Sequence, residues 1–233
     1  MLRACLYLLF FVPWTLFCTF VATLSTFPDP GGRIFHLIAL IWSRICLLTA
    51  GVRLKVEGAE LVPTDRPCIF MGNHQSYFDI PVMIQASPAS FNWLAKEELF
   101  RIPVFGHSMR AAGYVPINRG NGRDSIRSLK RASELVRNGK SVAIFPEGTI
   151  GNGGLLPFKR GGFVLASLAR VPIIPFSISG TAKISTPKER LYLRPGLVTV
   201  KFGQPIEIDK NGEIHPTLLT EQVRAAIARG LEQ

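Results

Sequence analysis

The apolar positions divide the chain into two regimes. The N-terminal part carries two long apolar runs, and the remainder alternates short apolar runs with amphipathic stretches. From Ala4 to Leu24, ACLYLLFFVPWTLFCTFVATL contains no charge. At about 20 residues it is long enough to cross a hydrocarbon core as a helix, with Pro13 placed to kink it. A cleaved signal peptide is the competing reading. It is disfavoured because the basic n-region is only Arg3, the run is long and no AxA cleavage pattern follows. From Ile34 to Val52, IFHLIALIWSRICLLTAGV includes His36 and Arg44, which suits a helix lying in the interface with Trp42 and Arg44 at headgroup level. Its length also fits a core helix of the domain that follows. PDPGG at Pro28–Gly32 reads as the turn between the two. The pattern thus predicts membrane-associating helices over residues 1–51 and a globular domain over 52–233.

Within that domain the period changes. Short apolar runs at Cys68–Gly72, Ser141–Phe145, Ile173–Ile178 and Leu197–Phe202 read as strands. Asp124–Asn138 sets Ile126, Leu129, Ala132, Leu135 and Val136 against Arg127, Lys130, Arg131 and Arg137 and stops at Gly139, the pattern of an amphipathic helix with a basic face. Gly161–Arg170 and Thr217–Leu231 are further helix candidates. Strands alternating with helices predict an α/β fold, a central mostly parallel or mixed sheet flanked by helices. In such sheets ligands collect beyond the carboxyl ends of strands, which here directs attention to NHQSYFD after Cys68–Gly72 and PEGTI after Ser141–Phe145.

Composition narrows the partners. A hydrophobic content of 47% over 233 residues supports a sizeable core, and a net charge of +11 points to anionic partners. Nucleic acid is one class, favoured by the basic residues between Arg101 and Arg131, but no helix-turn-helix, zinc-finger or RNP pattern accompanies them. An anionic leaflet or the phosphates of coenzyme A use the same charge and also account for the apolar N-terminus. Cys5, Cys18, Cys46 and Cys68 form no CxxC pair, and the four histidines form no HExxH, so no metal site and no bound cofactor are expected.

NHQSYFD carries the chemistry. Ser76 to Asp79 fits a capping box, so Asp79 has a structural reading as a helix cap. The spacing from His74 to Asp79 is five, which places the histidine in the turn before the helix, where its ring can fold back onto the carboxylate. Such a carboxylate fixes the tautomer and leaves the second ring nitrogen as a base. GxSxG, a Walker loop and GxGxxG are all missing, so the hydroxyl to be activated is expected to come from the substrate.

NHxxxxD, GYVPINR at Gly113–Arg119, FPEGT at Phe145–Thr149 and VPIIP at Val171–Pro175 together resemble the four ordered blocks of the glycerolipid acyltransferase family, especially bacterial 1-acylglycerol-3-phosphate acyltransferases. LAKEELFRIPVFG at Leu94–Gly106 and PFKRGG at Pro157–Gly162 add to the resemblance, and the two apolar runs resemble the family's anchoring helices. The resemblance implies acyl transfer from acyl-CoA or acyl carrier protein to the hydroxyl of lysophosphatidic acid at a membrane, with His74 as base, oriented by Asp79; Arg33, Arg44, Arg53 and Lys55 after the first apolar run favour a cytoplasmic catalytic domain by the positive-inside rule. With the resemblance, Asn73, Arg119, Glu147, Gly148 and Thr149 are expected at the substrate, and Lys96 and Lys159 are expected as further anion contacts. Backbone N–H groups after His74 are the expected donors to the tetrahedral oxyanion. Two positions depart from the pattern: Ile150 stands where the family usually has arginine after EGT, and Pro116 replaces an aromatic residue of the second block. Arg119, Lys159 or Arg160 is then needed to supply the missing charge, or the acceptor is another lysolipid, such as a lyso-ornithine lipid or a different lysophospholipid.

Overall fold

A computed structural model describes residues 1–29, 32–117, 122–151, 154–186, 192–208 and 216–231. Two apolar helices, α1 (Leu2–Ser25) and α2 (Arg33–Ala50), lead into strand β1 (Val52–Glu57). Then follow β2 (Ile69–Gly72), α3 (Asp79–Ala86), β3 (Phe91–Lys96), α4 (Phe105–Ala111), β4 (Val115–Ile117), α5 (Gly122–Arg137) and β5 (Ser141–Ile144). The chain continues through α6 (Gly161–Ala169), β6 (Ile173–Ser179), the single turn α7 (Thr181–Ile184), β7 (Gly196–Phe202) and α8 (Pro216–Leu231).

The seven strands form one mixed sheet in the order β1-β7-β6-β2-β5-β3-β4. From β6 to β4 every neighbouring pair is parallel; β7 runs antiparallel to β6, and β1 pairs parallel to β7. Parallel central strands are covered on both faces, so both sides of their pleat must be apolar. In β2, Phe70 packs into one core with α2, α3 and the aromatic residues Phe91, Trp93 and Phe202, while Ile69 and Met71 pack into the other with α5, α6 and α8. The sheet is therefore the middle of three layers.

The α1–α2 hairpin is joined to the first of these cores. Ala4, Leu47 and Ala50 are buried in the same cluster as Val52 and Phe78, and the Tyr7 ring lies 5.8 Å from that of Phe78. Arg3 closes the junction by donating to the Ala50 carbonyl at 2.9 Å. The opposite face of α1 is different in kind: Leu2, Leu9, Leu16, Phe17 and Phe20 stand exposed on it. Both helices are long and apolar enough to cross a membrane, and an apolar face of this size is a candidate surface for lipid.

Candidate active site

The carboxyl ends of β2, β5, β3 and β4 lie on one edge of the sheet, because these strands are parallel. The turn after β2 begins with a tight fit. A side chain on Gly72 would meet the Phe176 ring within 2.5 Å, so only glycine allows β2 to end against β6. Asn73 then continues the pairing with its side chain, donating to the Ile178 carbonyl at 2.8 Å and accepting the Ile178 N–H at 2.7 Å. Expected at the substrate, this amide is fully buried and occupied at both ends, and so fixes the strand end from which His74 departs.

His74 and Asp79 meet as the spacing predicts. The ring Nδ1 lies 2.8 Å from Asp79 Oδ2, and the same oxygen accepts the main-chain N–H groups of Gln75 at 2.6 Å and Ser76 at 2.9 Å. An ionised carboxylate only accepts, so it selects the tautomer with the proton on Nδ1 and turns the lone pair of Nε2 outward. Nε2 has no hydrogen-bond partner among the described residues. Asp79 is 0% exposed and the histidine side chain 15%, so the supporting group is dry and the ring reaches the surface.

Asp79 is the first residue of α3, but its carboxylate points back onto the preceding turn. Half of the capping box is thereby formed, the bond from Ser76 N–H to Asp79. The other half is replaced: Ser76 Oγ donates to the Ser185 carbonyl at 2.7 Å and accepts the Phe78 N–H at 3.2 Å. This geometry corrects the expectation that the amides after His74 receive an oxyanion. Those of Gln75 and Ser76 are taken by Asp79.

The loop after β5 grips the histidine from the other side. The His74 ring stacks on Phe145 with centroids 4.0 Å apart and planes 5° apart, and Phe145 stacks in turn on Trp93 at 5.1 Å. Glu147 Oε1 accepts the His74 N–H at 2.8 Å, its Oε2 accepts the Leu156 N–H at 2.8 Å, and Gly151 donates to the His74 carbonyl at 2.7 Å. Glu147 was expected at the acceptor; its buried carboxylate is instead spent on two main-chain amides. Burial pushes its carboxyl above the usual carboxylate range, and the N–H groups of Leu156 and His74 only partly offset that.

Gly148 takes φ 73°, a left-handed turn that glycine adopts without strain. The exposed Lys159 lies across it, its Nζ 2.9 Å from where a glycine Cβ would stand, so an ammonium group covers the EGT turn. Thr149 and Arg160 are exposed nearby in sequence, and Ile150 is half-buried. Lys96, at the carboxyl end of β3, is exposed and pairs with Glu98 at 3.1 Å. Arg119 lies outside the described residues. Arg224, on the C-terminal helix, had no sequence signal. It donates to the carbonyls of Leu155 at 2.9 Å and Leu156 at 2.7 Å and stacks over Phe158 at 5.3 Å, pinning the loop that Glu147 holds from the other side. Among the described residues no group of three His, Cys, Asp or Glu side chains is close enough to bind a metal ion.

Beside this site lies an apolar cavity of about 260 Å³ between the hairpin and the α/β layers, lined by Phe11, Trp42, Ile80, Trp93, Phe105 and Met109 among others. Trp93 joins it to the aromatic stack beneath His74, and Ile80 follows Asp79 directly.

Residues 53–179 match the model of the acyltransferase family. A chloroplastic 1-acyl-sn-glycerol-3-phosphate acyltransferase of Brassica napus is 35% identical over 201 residues, covering 85% of this chain and 56% of the relative. The chain thus spans little more than half the length of that plant protein. The 1-acyl-sn-glycerol-3-phosphate acyltransferase alpha of Mus musculus is 33% identical over 206 residues, 86% of this chain and 71% of its own. Among solved structures, the 1-acyl-sn-glycerophosphate acyltransferase PlsC of Thermotoga maritima superposes with a TM-score of 0.84 at 28% identity, covering 99% of this chain and 95% of that one. With its family model, relatives, fold and ordered motifs in agreement, the chain belongs to the acyltransferase family.

Proposed function

We propose that the protein transfers a fatty acyl group from an acyl thioester, acyl-CoA or acyl carrier protein, to the free hydroxyl of 1-acyl-sn-glycerol-3-phosphate, giving phosphatidic acid. The observation that carries the reading is the His74–Asp79 pair, with one ring nitrogen engaged by a buried carboxylate and the other, at the surface, without a partner among the described residues. His74 Nε2 takes the proton of the acceptor hydroxyl as its oxygen attacks the thioester carbonyl. The C–O bond forms, the tetrahedral intermediate collapses, and the C–S bond breaks. The thiolate needs little help to leave, since a thiol ionises far more readily than an alcohol, and the proton on His74 passes to it or to water. Asp79 stabilises the imidazolium between the two steps. No acyl-enzyme intermediate is needed.

The glycerol phosphate headgroup is supported by the ammonium of Lys159 over the EGT turn, which supplies the charge that Ile150 lacks. The relatives' names point to the same acceptor. The hairpin keeps the site at the lipid surface, and Arg33, Arg44, Arg53 and Lys55 after the first apolar run favour a cytoplasmic orientation. Mass spectrometry of the lipids formed by purified protein in detergent, given acyl-CoA or acyl carrier protein and a mixture of lysolipids, tests the reading. Phosphatidic acid is the expected product, and His74→Ala is expected to reduce it by several orders of magnitude while remaining folded. Consumption of a lyso-ornithine lipid or another lysophospholipid instead would reassign the acceptor, and near-normal turnover by His74→Ala would refute the base.

A further inference from the structure

Acyl transfer between two lipids must house two aliphatic chains at once, and the structure has a second apolar cleft. It measures about 240 Å³ and lies between α1 and the catalytic turn, lined by Leu8, Phe11, Trp42, Tyr77, Phe78 and Leu193 among others. Phe11 and Trp42 line both this cleft and the larger cavity described above, so their rings, 6.3 Å apart, form a shared wall. The two spaces also divide the start of α3: Ile80 faces the larger cavity and Pro81 the cleft.

Their surroundings differ. Every described residue of the larger cavity's lining is buried or half-buried, including its five α1 residues, although both spaces open to the surface. The cleft has an exposed rim, because Leu8 is 39% exposed and Tyr77 69%. Leu8 sits on α1 beside Leu9 and Phe10 of the lipid-facing surface, while Tyr77 belongs to the turn that carries His74 and Asp79. An alkyl chain lying along α1 can therefore enter the cleft over the exposed Leu8, and its head then emerges at the catalytic turn.

Resting on the acyl-transfer reading, we propose that this cleft binds the aliphatic chain already carried by the acceptor lysolipid, with the Phe11–Trp42 wall keeping it apart from the chain in transit. The acceptor is the substrate that remains in the membrane, and the cleft is the space continuous with the membrane-facing helix. A chain held there places the glycerol hydroxyl at the turn without occupying the inner cavity. Selection by acceptor chain length and selection by donor chain length then reside in different residues.

The test compares Leu8→Trp, which fills the mouth of the cleft, with Ala39→Phe, which fills the inner cavity. Neither residue belongs to the catalytic turn, and Ala39 lines only the inner cavity. Full-length protein in detergent is assayed with long-chain and six-carbon lysophosphatidic acid, and donors of several chain lengths compete in the same mixture. For Leu8→Trp the expected result is a KM for the long-chain acceptor raised about tenfold, the scale on which an apolar pocket discriminates by fit. Its KM for the six-carbon acceptor, its kcat and its donor preference are expected to stay unchanged. Ala39→Phe is expected to shift donor preference and leave the acceptor dependence alone. The proposal is overturned if Leu8→Trp alters donor preference, or if it leaves the long-chain KM where it was. Should wild type acylate no lysophosphatidic acid at all, the acyl-transfer reading itself falls and takes this one with it.

Discussion

The main chain of His74 and the side chain of Glu147, 73 residues apart, are joined by a 2.8 Å hydrogen bond from the histidine N–H to carboxylate Oε1. Gly151, in the same loop, donates to the histidine carbonyl at 2.7 Å. Between them the residues after β5 hold both polar main-chain groups of His74, while Phe145 supports its ring and Asp79 its Nδ1. The imidazole thus has few ways to move before a substrate arrives, and positioning of that kind lowers the barrier by restricting motion in advance.

Glu147→Gln tests this support. Glutamine has one acceptor oxygen, so either His74 N–H or Leu156 N–H is left facing an NH₂ group, at about 1–3 kcal/mol for an unsatisfied buried donor. Turnover is expected to fall roughly a hundredfold through misplacement of His74, with less effect on KM. The pH dependence carries a sign. Burial raises the Glu147 pKa, so its contribution to stability is complete below the unfolded value and is lost as pH rises through the folded one. Glutamine does not titrate, so the variant's deficit against wild type should be largest in acid and shrink as pH rises. Thermal melts of both proteins across that range measure it, and a pH-independent deficit would contradict the assignment.

Asp79→Asn addresses the chemistry more directly. An asparagine oxygen in the Oδ2 position can still accept the N–H groups of Gln75 and Ser76, so the turn should persist. The charge facing the imidazolium is lost, and with it about 10³- to 10⁴-fold in kcat by comparison with the loss of the equivalent carboxylate in hydrolytic triads. Circular dichroism is expected to match wild type. A loss below tenfold would mean that Asp79 serves the turn alone.

Arg224→Lys separates a loop-positioning role from a merely structural one. Lysine retains the charge but cannot span the Leu155 and Leu156 carbonyls with a planar fork or stack over Phe158 in the same way. Because the loop leads to Lys159, the KM for lysophosphatidic acid is expected to rise several-fold with kcat little changed. A change in melting temperature with unaltered KM would limit Arg224 to stability.

Much of this arrangement was legible in the sequence, and the gaps have physical causes. The buried runs of β2, β5, β6 and β7 are marked by continuous or alternating apolar residues, and each strand lies within two residues of its predicted ends. β1 was passed over because Arg53, Lys55 and Glu57 alternate with its apolar residues on an exposed sheet edge, a pattern that protects an edge strand and also mimics a loop. β3 hides in FNWLAK, where the buried Asn92 interrupts the apolar run. The His74–Asp79 contact followed from spacing within one turn. That Asn73 and Glu147 bond to main chain was not readable, because their partners, Ile178 and Leu156, are fixed only by tertiary folding. Arg224 was invisible for the same reason.

The division at residue 51 yields the last prediction. Had the hairpin been an anchor alone, its inward residues would matter little to the stability of the rest. Leu47 and Leu48 are neighbours on α2 that separate the two roles: Leu47 is 5% exposed within the core shared with Val52 and Phe78, and Leu48 is 65% exposed on the outer face. Truncating a buried leucine costs about 2–5 kcal/mol, the transfer of its methyl groups plus the cavity left behind. In a domain of this size each kcal/mol corresponds to about 2–4 °C. Leu47→Ala is therefore expected to lower the melting temperature in detergent by at least several degrees, because it opens a void in the core that the hairpin shares with Val52 and Phe78. Leu48→Ala should leave the melting temperature close to wild type and instead weaken recovery with lipid vesicles in flotation. Equal and small effects on stability would make the hairpin a tether. The expected difference would make it part of the wall that the catalytic turn rests on, and the catalytic domain should then not survive removal of residues 1–51.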